Sequence, residues 1–125
     1  MAQDPVKVAP KAFKVLLEND RVRVLDYRAE PGEKEPMHSH PDSFIYSLGA
    51  YNIKINFPNG TTEMRKGKAG EAIWQEAETH ASENMGRADA RALIVELKEP
   101  KKKKRMQCSR NCVWRRRISQ ELILS

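Results

Sequence analysis

The chain has 125 residues, 39% of them hydrophobic and 32% charged, with a formal net charge of +6. That is core material for one modest domain, and no apolar run approaches membrane-spanning length, which excludes two-domain enzymes and helical membrane proteins. The charge is uneven: residues 101–125 hold nine of the 23 basic side chains and one of the 17 acidic ones, a local balance of +8 that leaves the first 100 residues at −2. Both cysteines, Cys108 and Cys112, also fall in this tail, so the body offers no thiol for a disulfide framework, a thiolate metal site or a cysteine nucleophile. The opening MAQDPVKVAP places an acid and a proline where a secretory signal needs a basic start and an apolar stretch, and the expectation is a cytoplasmic protein.

Three segments follow: an N-terminal arm over 1–10, a body over 11–99 and the basic tail over 100–125. The body reads as short strands separated by turn signals at intervals of roughly 8–12 residues, the spacing of an all-β sandwich or barrel. Ala12 to Leu17 is an apolar run closed by Glu18-Asn19-Asp20, and Val22 to Ala29 follows it, ending at Pro31-Gly32. From Tyr51 the alternation is clean, with Tyr51, Ile53, Ile55 and Phe57 on one face and Asn52, Lys54 and Asn56 on the other. Pro58-Asn59-Gly60 turns the chain, Thr61 to Lys66 returns, and Glu71 to Trp74 follows a second turn. His80 to Met85 precedes the turn at Gly86 to Asp89, and Ala90 to Lys98 carries Leu93, Ile94, Val95 and Leu97, a run suited to a buried strand. About eight short strands with few helix signals predict a closed or sandwiched antiparallel barrel.

The three histidines carry the chemistry. His38 and His40 are two residues apart, which in an extended strand puts both imidazoles on one face, within reach of one ion; a solvated edge is the plainer alternative for an isolated His-x-His. Gly32 precedes them by a turn, and His80 lies on a later strand after the glycine turn at Gly70. Gly32-Glu-Lys-Glu-Pro-Met-His38-Ser-His40 and Gly70 through His80-Ala-Ser-Glu-Asn84 resemble the two motifs of the small single-domain cupins. The similarity runs from about Lys11 to Lys98. It implies a cupin-type jelly-roll β-barrel with His38, His40 and His80 converging on a divalent transition metal: iron, manganese, nickel, zinc or copper. The chain departs from that pattern where the family has a glutamate ligand, since positions 44 and 45 are Phe44 and Ile45. Asp42 shares the parity of His38 and His40 and substitutes as a ligand if the strand stays extended through Pro41. The second motif has Glu76 and Glu78 in place of its proline and glycine, and its spacing from Gly70 to His80 is one residue short.

Phe44, Tyr46 and Trp74 are the candidate substrate-binding side chains; Tyr51, Ile53, Ile55 and Met85 are further candidates for the barrel lining, with core packing the alternative for each. Glu78, two residues before His80, is either an acceptor behind that ring or a solvated loop carboxylate. Three imidazoles with no carboxylate leave open positions on a metal, as in a catalytic site. The resemblance thus implies a metal-binding protein acting on or binding a small polar organic molecule, with dioxygenation or isomerisation as the reaction classes. A metal-free sensor or binding barrel is the alternative. The tail offers phosphate contacts to nucleic acid or an anionic membrane, with Trp114, Ile118 and Leu122 at i, i+4, i+8. A homodimer is expected through an edge strand such as Ala12 to Leu17.

Overall fold

The computed structural model describes residues 3–99; the basic tail, with the nucleic-acid and membrane reading placed on it, lies outside them. The N-terminal arm contains a short helix that was not anticipated, α1 (Pro5–Val8). Its signal is local: Asp4 caps it by accepting a hydrogen bond from the Val6 N–H at 3.0 Å, and Pro5 occupies the first turn, where no amide hydrogen is needed. Nine strands follow: β1 (Phe13–Glu18), β2 (Val22–Ala29), β3 (Lys34–His40), β4 (Ser43–Ser47), β5 (Tyr51–Asn56), β6 (Thr62–Gly67), β7 (Ala72–Gln75), β8 (Glu78–Asn84) and β9 (Ala90–Leu97).

The strands form two antiparallel sheets, one of five strands in the order β1-β2-β9-β4-β7 and one of four in the order β3-β8-β5-β6. Most bounds agree with the periodicity, but β4 was not separated in advance from the histidine strand. Pro41 and Asp42 are where the chain leaves the four-stranded sheet for the five-stranded one. A proline has no amide hydrogen for a ladder, so the strand ends there and parity counted across it loses its meaning.

The sheets face each other across a core in two parts. Ala9, Ala12, Phe13, Leu25 and Ile94 make one cluster near α1; Ile53, Ile55 and Ala90 make the other, and Tyr27 packs against both. Two turns that precede site strands depend on glycine: Gly32 before β3 and Gly70 before β7 have φ of 81° and 83°, a region costly for residues with a Cβ. Asn84, fully buried at the end of β8, ties this end of the barrel together. Its side-chain amide donates to the carbonyls of Ala29 and Ala88 at 2.9 and 3.0 Å, and its carbonyl accepts from the Gly86 N–H. Among the described residues no helix is long and apolar enough to cross a membrane.

Candidate metal centre

The histidines come from neighbouring strands of the four-stranded sheet. His38 and His40 on β3 and His80 on β8 all point inward, and His38 stands directly opposite His80 in the register. An irregularity at Pro36-Met37 shifts that register between Glu35 and His38. The extra residue of a β-bulge reverses side-chain parity, so both Glu35 and His38 face the interior although they lie an odd number of residues apart. One ring nitrogen from each of the three histidines lies within 4.8 Å of the other two. The ring centroids are 4.9 Å apart for His38–His40 and His38–His80, and 5.4 Å for His40–His80. Phe13 closes one side, its ring 5.2 and 5.7 Å from those of His38 and His40.

The other nitrogen of each ring is committed to an oxygen. His38 Nδ1 lies 2.7 Å from the Pro36 carbonyl, which can only accept, so Nδ1 carries the proton and Nε2 keeps its lone pair. His40 Nδ1 donates to Glu96 Oε2 at 2.9 Å, and His80 Nδ1 to Glu78 Oε2 at 2.5 Å. Each carboxylate is itself held by an arginine. Glu96 pairs with Arg23, which also reaches Asp4, and Glu78 accepts from Arg65 at 2.8 and 3.2 Å. These ion pairs orient the acceptors and so fix the imidazole tautomers. Burial works against the charge on Glu78, but its hydrogen bonds from Arg65 and His80 hold it below the ordinary carboxylate range.

Desolvation dominates the imidazoles. His38 is lowered to about 4 by burial and by its neighbours His40 and His80, against the Pro36 carbonyl; His80 is lowered to about 4 by burial and His40, against Glu78. Both rings are therefore neutral near pH 7 and present lone pairs, not positive charge. The Nε2 of His38 is buried with no hydrogen-bond partner, a costly condition for a polar atom unless something binds it. Three imidazoles with their far nitrogens anchored are the donor set of a first-row divalent metal. The residues present fit such an ion.

The site opens into a cavity of about 790 Å³ between the sheets, lined by Ile45, Ile53, Ile55, Ile73, Tyr51 and Arg65 among others. Ile45 lines it close to where a cupin pattern would supply a carboxylate. Asp42 does not join the histidines: it is exposed on the crossing between sheets, and its Oδ1 accepts from the Ala77 N–H at 2.8 Å. The strand does not stay extended through Pro41, so the shared parity with His40 places nothing. Phe44 and Tyr46 are also corrected. They alternate with inward Ser43, Ile45 and Ser47 and project from the outer face of β4, each 39% exposed. Trp74 touches the cavity rim but shares that outer face with Phe44, its cross-strand partner, and is 54% exposed. Met85 lies beyond β8 and is exposed, whereas Tyr51, Ile53 and Ile55 do line the interior.

Sequence reasoning passed over Glu96, Arg23 and Arg65. Glu96 had a readable signal, a carboxylate at the inward parity of β9 after Ala90, Ala92 and Ile94. Arg23 had the same kind of signal, sharing the parity of Leu25, Tyr27 and Ala29 on β2, whereas Arg65 had none, because its direction depends on pairing with β5. A second buried carboxyl, Glu35, accepts from Ser82 Oγ at 2.5 Å and Tyr27 Oη at 3.1 Å; burial raises it above the ordinary range, with those hydrogen bonds opposing.

No protein-family model and no curated protein matches the chain. Solved structures do. A cupin domain from Bordetella pertussis Tohama I aligns with a TM-score of 0.64 at 21% identity, over 70% of this chain and 92% of that one. The protein is a small cupin jelly roll in its fold. A conserved double-stranded β-helix protein from Klebsiella pneumoniae aligns with this cupin barrel at a TM-score of 0.53 and 21% identity, covering 70% of this chain and 84% of the other. The polyketide cyclase RemF from Streptomyces resistomycificus aligns at 0.50 and 26%, covering 70% of this chain and 64% of the cyclase.

Proposed function

We propose that this cupin holds a divalent transition metal through the Nε2 atoms of His38, His40 and His80 and uses it on a small polar organic molecule bound in the cavity. The observation that carries the reading is the convergence of three imidazoles whose Nδ1 atoms are all anchored, with His38 Nε2 buried and unpartnered. When bound, the metal would supply Lewis-acid polarisation and open positions for exogenous ligands. The chain's own residues do the rest. Glu96 and Glu78 accept hydrogen bonds from Nδ1 and fix the ring orientations; Arg23 and Arg65 hold those carboxylates in place. Phe13 excludes water from one side of the rings, and the isoleucine walls take the apolar body of a small molecule. Arg65 and Glu78, which also line the cavity, offer hydrogen bonds to its polar end. Dioxygenation and isomerisation of small organic acids are the reactions to assay first.

The competing idea, a metal-free barrel that grips an acidic ligand by its histidines, fits less well. His38 and His80 are neutral until about pH 4, so near pH 7 they bring no positive charge to an anion. Elemental mass spectrometry of the purified protein, beside a variant with His38, His40 and His80 all changed to alanine, tests the proposal. Near-stoichiometric metal that disappears in the variant supports it. Metal absent from both after reconstitution with iron, manganese, nickel and zinc overturns it in favour of the binding barrel.

A further inference from the structure

The two carboxylates that face imidazole N–H groups are tethered differently. Behind His80, Glu78 is gripped by Arg65, whose remaining bonds run to Gln75 and to the exposed carboxylate Glu63. That chain of contacts ends in solvent. Behind His40 it ends in the N-terminal arm. Glu96 spends Oε2 on His40 Nδ1 at 2.9 Å and Oε1 on Arg23, which donates from Nε at 3.0 Å and from Nη2 at 2.9 Å. The other edge of the same guanidinium grips Asp4, with Nη1 on Oδ2 at 3.1 Å and Nη2 on Oδ1 at 3.0 Å. A planar guanidinium held along two edges has its plane fixed.

Asp4 is itself pinned. Its Oδ1 caps α1, and the next residue, Pro5, is fully buried. The Gln3 carbonyl accepts from the Ser39 N–H at 2.8 Å, on the edge strand β3 and between its two histidines. The arm is therefore docked on the strand that carries His38 and His40. Nor is this a loose surface pair, since the side chains of Arg23 and Glu96 are only 15% and 4% exposed. The Arg23 guanidinium beside Asp4 holds its carboxyl below the usual carboxylate range, against the effect of burial.

We propose that Asp4 is a positioning residue for His40: through Arg23 and Glu96 it holds that ring in one tautomer and one orientation, and so the N-terminal arm sets the affinity of the centre for its ion. The second half of this inference rests on the metal-binding reading above; the first does not. Two effects act in the same direction. Without the second grip, Arg23 is free to turn, and the Glu96 carboxylate that it orients turns with it. Asp4 also offsets the positive charge of Arg23, so the trio of Asp4, Arg23 and Glu96 carries a net −1 beside a site for a cation. Losing one carboxylate leaves the pair neutral and the attraction for a divalent ion weaker.

Asp4→Asn separates this role from the helix cap, because asparagine caps as well as aspartate but carries no charge. Two measurements on the full-length chain test the proposal. In metal-free protein at pH 7, proton–nitrogen NMR of the imidazoles shows each ring as one tautomer with hydrogen on Nδ1. Asp4→Asn moves His40 toward a mixture of tautomers or speeds the exchange of its Nδ1 proton, while His38 and His80 stay as they were. In chelator competition with Zn²⁺, Asp4→Asn weakens binding about three- to tenfold, less than the 10- to 100-fold typical of the direct acceptor. Asp4→Glu, which keeps the charge, recovers most of both signals. An unchanged His40 signal in Asp4→Asn overturns the proposal. So does a disturbance of all three rings alike with a lowered melting temperature, which is what a merely structural role produces. An unchanged Zn²⁺ affinity beside an altered His40 ring overturns the claim that the arm sets affinity. A wild type that takes up no metal overturns the metal-binding reading and that claim with it, and the metal-free ring spectra still decide the positioning of His40.

Discussion

The two sheets enclose one cavity and divide its tasks. Inward, the four-stranded sheet supplies all three imidazoles, whereas the five-stranded sheet supplies Phe13, Leu25, Ile94 and the carboxylate Glu96 that steadies His40. Outward, the contrast reverses. The row Lys34, Glu83, Lys54 and Met64 across the four-stranded sheet alternates charge, while the row Leu17, Val24, Val95, Phe44 and Trp74 across the five-stranded sheet is wholly apolar. The reactive face therefore has a solvated back, and the greasy-backed sheet serves as its wall.

The largest effect expected falls on the inner face of the four-stranded sheet. His38→Ala removes a donor with a fixed tautomer and lowers metal affinity more than about 100-fold, beyond the loss typical of an outer partner; competition with a chelator reads it. The counterpart on the other sheet is Leu25→Ala, which empties a fully buried position and destabilises by about 3 kcal/mol in urea unfolding, with metal stoichiometry unchanged.

A pH series separates the sheets further. In metal-stripped protein, the folded chain refuses protons at His38 and His80 down to about pH 4, while the unfolded chain accepts them below about pH 6.5. Stability is thus intact above about pH 6.5, falls as the pH drops toward about 4 and levels off below, by at most roughly 3 kcal/mol for each ring. Urea midpoints at about pH 7, 5.5 and 4.5 trace it. The triple alanine variant loses this dependence, and a flat wild-type profile would contradict the burial of the imidazoles.

Smaller effects distinguish the two carboxylates. Glu96→Gln and Glu78→Gln each lower metal affinity about 10- to 100-fold, but only the first also lowers the melting temperature clearly, because Arg23 is the more deeply enclosed cation. The smallest change is expected at Lys54→Ser on the solvated back of the four-stranded sheet, within about 0.5 kcal/mol of wild type and without effect on metal content.

Much of this was legible in advance because both periodicities are local. The alternation of Tyr51, Ile53 and Ile55 announced β5, and the resemblance of Gly32 to His40 and of Gly70 to Asn84 to the two cupin motifs implied a barrel with its histidines brought together. Reasoning failed where parity was carried across a break. Asp42 was placed with His40 by counting through Pro41, and Phe44 and Tyr46 were placed on the barrel lining because they are aromatic side chains on or next to a strand; Trp74, expected near the barrel mouth, does reach the cavity rim. Neither inference had access to the crossing at 41–42, which starts β4 in a new sheet.

The sequence by itself determined the strand periods, the His-x-His on one strand face, the later histidine and the charge divide at residue 100, since each depends on neighbours a few positions apart. Tertiary structure decided the rest. The bulge at Pro36-Met37 that turns Glu35 and His38 to the same side, the pairing of Glu96 with His40 across 56 residues and the apolar row on the outer sheet all require strand register. Register is set by packing among segments distant in the chain, and a one-residue slip in it reverses every side chain.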